Sequence, residues 1–196
     1  MQKNYTNNPH FTCLSVSGNG SFATGSEQGE VRFYKSIGKN ANNKFTSEGG
    51  AVLNLDTTKD GKWVLATFKR FLRLIPTMTE DDQSLYDRKV AFEERPTPIK
   101  LDLRLDDLQR LQVKDFTFVP AKFDESREEM ERFIVSGFGE YTVIWNMSQV
   151  MRGDRSYVLS KNVGKVVQAD FRWNDPTKLL MATSSGIVVR ENRLKQ

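Results

Sequence analysis

The chain holds one histidine and one cysteine, His10 and Cys13, three residues apart. Such a pair could begin a metal site or a Cys–His nucleophile. A metal centre needs three or four ligands, and the sequence offers no further imidazole or thiol. A nucleophilic pair would also need an orienting partner and an oxyanion site. On an extended strand, positions three apart face opposite sides. His10 is therefore expected at the entrance of a sheet, and Cys13 as a small core residue. The other polar runs read in the same way. Glu80, Asp81 and Asp82 could attract a divalent cation but read as a solvated loop. Asp60-Gly61 lacks the ligand spacing of a calcium loop and reads as a hairpin turn. The glycines at 18, 20, 25 and 29 do not open a helix, so they are no phosphate loop. Residues 128–132 mix signs and read as a solvated face. Nothing assembles a base, a nucleophile and a stabiliser. The sequence predicts no enzyme, no metal and no cofactor.

Charge and composition narrow the partners. The net charge is +4, from 29 basic and 25 acidic residues. The densest basic group is Lys69-Arg70 with Arg73 nearby. A nucleic-acid surface shows a thicker stripe, which argues against that partner. A single cysteine excludes an internal disulfide and fits a reducing compartment. No stretch is long and apolar enough for a membrane span, and residues 1–20 are too polar for a signal peptide. Asn4 and Asn146 begin glycosylation sequons that read as chance matches. Thirteen Phe, five Tyr and three Trp supply material for a core.

The elements that must position these groups are short strands. Turns such as Ser17-Gly18-Asn19-Gly20, Lys59-Asp60-Gly61-Lys62 and Ser185-Gly186 separate apolar and alternating runs, the pattern of antiparallel hairpins. One motif recurs: a small-residue strand, a turn, then an alternating strand. It occupies 22–35, 64–76, 133–146 and 180–190. Equivalent positions are Ala23, Ala66, Val135 and Ala182, at steps of 43, 69 and 47. Repeats of about 40–45 residues are those of four-stranded propeller blades, so two steps fit and one carries an insertion. Each unit also has an upstream strand, at 11–17, 52–57, 115–120 and 166–172. Residues 77–114 and 124–131 are the insertions. Within the first, 89–93 reads as an outer strand and 99–105 as an alternating strand. Asp106 or Asp107 could cap one helical turn over 108–111.

The units resemble WD repeats. Val31-Arg32-Phe33-Tyr34-Lys35 and Thr142-Val143-Ile144-Trp145-Asn146 stand where that family has its closing strand. Small residues such as Ala23, Thr24 and Gly25 would let a strand approach the crowded propeller axis. The family's His, Ser/Thr, Asp and Trp tetrad is incomplete in every unit; only the first has a candidate histidine, His10. A closer resemblance rests on the alternating leucines at 101–105, on 116–123, and on Ile134-Val135-Ser136-Gly137 through Trp145-Asn146. These are similar to the C-terminal propeller of the vacuolar import and degradation protein 27 family, which includes the plant defective-embryo-and-meristem proteins. Residues 7–16, 22–34 and the final strands fit it too.

The resemblance implies an all-β, WD-repeat-like propeller of about four blades, an incomplete ring with units near 7–50, 51–98, 99–150 and 151–196. It implies a fragment of a longer protein whose last sheet lacks its outer strand. Open edges near 11–17 and 187–190 would then invite self-association. By fold analogy the function is a non-enzymatic scaffold binding other proteins, linked to vacuolar or vesicular import and degradation of cytosolic proteins. The cytoplasm is the expected location, with the nucleus as alternative. Contacts are expected on the turns between second and third strands, with Glu27, Gln28, Lys69, Arg70, Phe138 and Glu140 as candidates. The competing reading is a basic face of Lys69, Arg70 and Arg73 that binds nucleic acid or acidic phospholipid.

Overall fold

The computed structural model describes residues 9–124, 133–172 and 175–191. The chain forms two compact units, Met1–Asp102 and Leu103–Gln196. Each holds two antiparallel sheets whose strands follow one another in chain order. Short connections make such meanders the default for hairpin-forming sequences.

In the first unit, sheet 1 comprises β1 (Phe11–Val16), β2 (Phe22–Ser26), β3 (Glu30–Tyr34) and β4 (Asn43–Thr46). Sheet 2 comprises β5 (Asn54–Thr57), β6 (Trp63–Thr67), β7 (Leu72–Pro76) and β8 (Ile99–Leu101). The inner strand β5 lies against β1 and β2. Between the sheets sit Ala23, Val31, Phe33, Val52, Leu55, Val64, Ala66 and Ile75, with Cys13, Phe45 and Phe71 packed at the margin. The period-2 alternation places these residues on one face. The other face of sheet 2 is equally buried at Leu65, Leu72, Leu74 and Leu101.

In the second unit, sheet 3 comprises β9 (Lys122–Phe123), β10 (Phe133–Phe138), β11 (Tyr141–Asn146) and β12 (Tyr157–Lys161). Sheet 4 comprises β13 (Val166–Arg172), β14 (Asp175–Thr183) and β15 (Gly186–Glu191). Phe133, Val135 and Ile144 of sheet 3 pack against Val166, Ala169, Phe171, Leu179 and Met181 of sheet 4. On the opposite face of sheet 3, Trp145 packs on Phe118 and Tyr157.

Several expectations need correction. The outer strand of sheet 2 is Ile99–Leu101, not 89–93, so 99–101 closes the second sheet instead of opening a third unit. Several polar groups of 85–95 are held by other partners. Asn43 Nδ2 donates to the Leu85 and Arg88 carbonyls, and its Oδ1 accepts from the Val90 N–H. Arg95 donates to the Val90 carbonyl. A ladder over 89–93 would have to give up these bonds at Val90. Likewise Tyr157–Lys161 pairs with β11 and completes sheet 3. Residues 115–120 form no strand; Val119 makes one backbone bond to Gly137, and the ladder resumes at Lys122. Pro120, which has no N–H, stands at the break.

The expected helical turn at 108–111 is α1 (Leu105–Arg110), which begins three residues earlier and ends one earlier. Its cap is Arg104, without a side-chain hydrogen bond; Asp106 and Asp107 lie in the first turn, where carboxylates offset the helix dipole. A second short helix, α2 (Met147–Met151), was not anticipated. Asn146 caps it, its side chain accepting from the Gln149 N–H at 3.1 Å. An Asn immediately before a helical turn is a local capping signal. Residues 125–131 of the second expected insertion, 128–132 and 1–6 lie outside the described residues.

Candidate functional site

The two groups first suspected of chemistry are kept apart. His10 is exposed at the entrance of β1 and lies beside Glu27 of the β2–β3 turn, Nδ1 to carboxylate 3.8 Å. Cys13 turns inward onto the core, and burial pushes its thiol pKa up, which makes it a weak nucleophile. Asp60 accepts from the Lys62 N–H at 2.9 Å and from Thr58 Oγ1 at 2.7 Å, so its carboxylate builds a hairpin turn. Residues 79–83 are closed by Thr79 N–H to Gln83 and Asp82 N–H to Thr79.

Among the described residues, Trp145 of the third repeat takes part in no WD-type hydrogen-bonded tetrad. Trp145 is 0% exposed, and its Nε1 finds no acceptor among the described residues. Ser136 donates instead to the Val119 carbonyl at 2.7 Å. Aromatic packing stabilises this sheet where a hydrogen-bonded relay was the alternative.

The candidate contact residues divide between the units. In the first, Glu27 and Gln28 are exposed on the β2–β3 turn, and Lys69 and Arg70 on the β6–β7 turn. A loop at 47–50 bridges these turns. Ser47 N–H donates to Gly29 O at 3.0 Å, and Gly49 presses against the Phe71 ring. In the second unit, Glu140 is exposed on the β10–β11 turn, with Lys161 3.6 Å away. Phe138 differs from the rest. It is 1% exposed and packed among Phe116, Phe118 and Tyr141, so its side chain belongs to the core.

Beside Lys69 and Arg70 lies a group that sequence reading only partly found. Phe71 stacks on Phe68 at 4.8 Å between ring centres. Arg73 and Lys100 both stand over the Phe71 ring, at 5.7 and 5.1 Å from its centre. Arg73 was read from the sequence; Lys100 was not. It is placed there by the β7–β8 register, which sets Arg73 opposite Lys100. No local pattern announces a partner 27 residues away.

Four sequential antiparallel sheets built on a repeated hairpin define the class: an all-β, WD-repeat-like β-propeller protein. The fold resembles the β-propeller domain of Myceliophteria thermophila Cps50 (Swd1), with a TM-score of 0.67 and 13% identity, over 93% of this chain and 54% of that one. It also resembles the WD40 repeats of RRP9, with a TM-score of 0.57 and 13% identity, over 92% of this chain and 46% of the other. The sequence matches the family model described as the VID27 C-terminal WD40-like domain over residues 1–196, and the chain belongs to that family. Vacuolar import and degradation protein 27 of Schizosaccharomyces pombe is 29% identical over 195 residues, 95% of this chain. Its namesake in Saccharomyces cerevisiae is 24% identical over 196 residues, 94% of this chain. The chain spans 24% and 25% of the length of these two relatives. No helix among the described residues is long and apolar enough to cross a membrane.

Proposed function

We propose that this domain is a non-enzymatic scaffold that binds other proteins in the cytoplasm and serves vacuolar or vesicular import and degradation of cytosolic proteins. The carrying observation is the exposure of the turns between second and third strands, at Glu27, Gln28, Lys69, Arg70 and Glu140, on a rigid sheet framework. Loops on a rigid scaffold are where binding residues concentrate. The names of the two yeast relatives support the pathway part of this reading. Self-association through the outer edge of β15 belongs to the same proposal.

The test is affinity capture with the full-length gene product. Wild type is compared with Lys69→Ala/Arg70→Ala, Glu27→Ala/Gln28→Ala and Glu140→Ala. Stoichiometric partners lost in at least one loop variant, each variant keeping its melting midpoint, are the expected result. An identical captured set from all variants would contradict it, and so would turnover of ester, phosphate or peptide reporters by the purified chain.

A further inference from the structure

We propose that Arg73, Lys100 and Phe71 form a subsite for an oxyanion-bearing side chain of an acidic peptide, docked on the β6–β7 turn of the first unit. This rests on the scaffold reading and specifies its partner.

Arg73 and Lys100 face each other on adjacent strands. Like charges directly opposite destabilise a sheet. Both lean over one aromatic ring, whose face attracts cations but supplies no countercharge. Lys100 has partial relief from Asp102 at 2.8 Å. Arg73 has no ion pair among the described residues, and its Nε is buried without a hydrogen-bond partner. An oxyanion set between the Arg73 guanidinium and the Lys100 ammonium would balance the repulsion.

The surroundings are shaped for a peptide. Phe71 is partly exposed and offers an apolar surface beside the cations. Gly49 lets the 47–50 loop close on that ring, since a Cβ there would stand 2.3 Å from Phe71 Cζ. Lys69 and Arg70 project at the turn. Asp102, Glu48 and Glu27 are exposed in the same unit and break the positive field. A bilayer or nucleic acid would call for a continuous basic surface. One acidic side chain next to an apolar one fits this ring and its two cations.

The probe is an array of labelled dodecapeptides with a central phenylalanine followed by glutamate, phosphoserine, glutamine or serine, read by fluorescence polarisation against the full chain. Binding should favour the glutamate or phosphoserine arm and weaken as salt rises; the preferred arm tells carboxylate from phosphate. Arg73→Gln should weaken binding about tenfold or more, and Lys100→Gln several-fold. Lys62→Gln, on the turn at the opposite end of β6, should leave it unchanged. If Arg73→Gln lowers the melting midpoint, the half-exposed Lys100 carries the test. The proposal is overturned by equal binding of acidic and neutral peptides, by unchanged binding in a folded Arg73→Gln or Lys100→Gln chain, or by phosphatidylserine vesicles binding where peptides do not. Partner capture lost in the loop variants but indifferent to these peptides would sink only this inference and leave the scaffold reading in place.

Discussion

Val52 closes over Gly25: a Cβ built on the glycine would stand 2.7 Å from Val52 Cγ1 and 2.5 Å from Cys13 Sγ. The second unit repeats the relation, with Val166 Cγ1 2.8 Å from the same point on Gly137. In both, the valine preceding or opening the next sheet fills the space a side chain would have taken. Gly25→Ala is expected to cost about 1–3 kcal/mol by overpacking. Combined with Val52→Ala, the two losses should be less than additive, because the smaller neighbour makes room. Urea denaturation of the two single variants and the double tests this; strict additivity would mean the contact carries no energy.

Trp145 separates packing from hydrogen bonding. Trp145→Ala should cost about 3–5 kcal/mol through the cavity it leaves among Phe118 and Tyr157. Trp145→Phe should cost much less, since the indole N–H has no acceptor to lose among the described residues. In thermal melts, a Trp145→Phe loss of more than about 1–3 kcal/mol would show that a tetrad-like hydrogen bond is at work.

Asn43 ties the 85–90 segment to β4 with three hydrogen bonds, all at 3.0 Å or less. Asn43→Ala would strip partners from buried backbone groups, at about 1–3 kcal/mol. Hydrogen exchange at Val90 should rise sharply. Protection equal to wild type would show that the backbone finds other partners.

Glu30 gives a pH signature. Burial works to raise its pKa, but hydrogen bonds and charge from Lys44 and Arg32 outweigh it and hold the carboxyl below its ordinary value. A depressed folded pKa contributes stability above the unfolded value, near 4.5, which is lost as pH falls through the folded value. Glu30→Gln should therefore lower stability at neutral pH and narrow the gap to wild type under acid. Tyr157 acts at the other extreme. Burial, then its bond to Asp107, pushes it up to about 12. Its contribution is present below the unfolded value, near 10, and fades as pH climbs towards 12. Melting midpoints across pH 3–11 for the Glu30→Gln and Tyr157→Phe chains check both signs.

β15 pairs on one side only among the described residues, and Ile187 and Val189 are 82% and 56% exposed beside that edge. Unpaired N–H and C=O groups offer a template for another strand. The 196-residue chain should self-associate in sedimentation experiments, and Val189→Lys should reduce it. A monomer at every concentration, with β15 amides strongly protected, would contradict this.

The hairpin repeat was legible because it is local. Alternation, turn glycines and small residues lie within a dozen positions of one another. They placed β2, β3, β6, β7, β10 and β11 close to where the structure has them, and they marked Trp145 as interior. The exposed turns holding Glu27, Lys69 and Glu140 followed from the same pattern. Phe138 shows where pattern stops: a residue at a turn was read as surface, yet Phe116 and Phe118, twenty and more residues earlier, cover it. The identity of outer strands was hidden for a related reason. The Val90 N–H is held by Asn43, a side chain more than forty residues away, while 99–101 pairs with β7, and neither contact is announced locally. The sequence by itself determined an all-β chain of repeated antiparallel hairpins, since side-chain period and turn chemistry act over short range. Tertiary structure alone decided that Arg73 and Lys100 share the ring of Phe71, because strand register is set by packing of whole sheets and not by the residues it brings together.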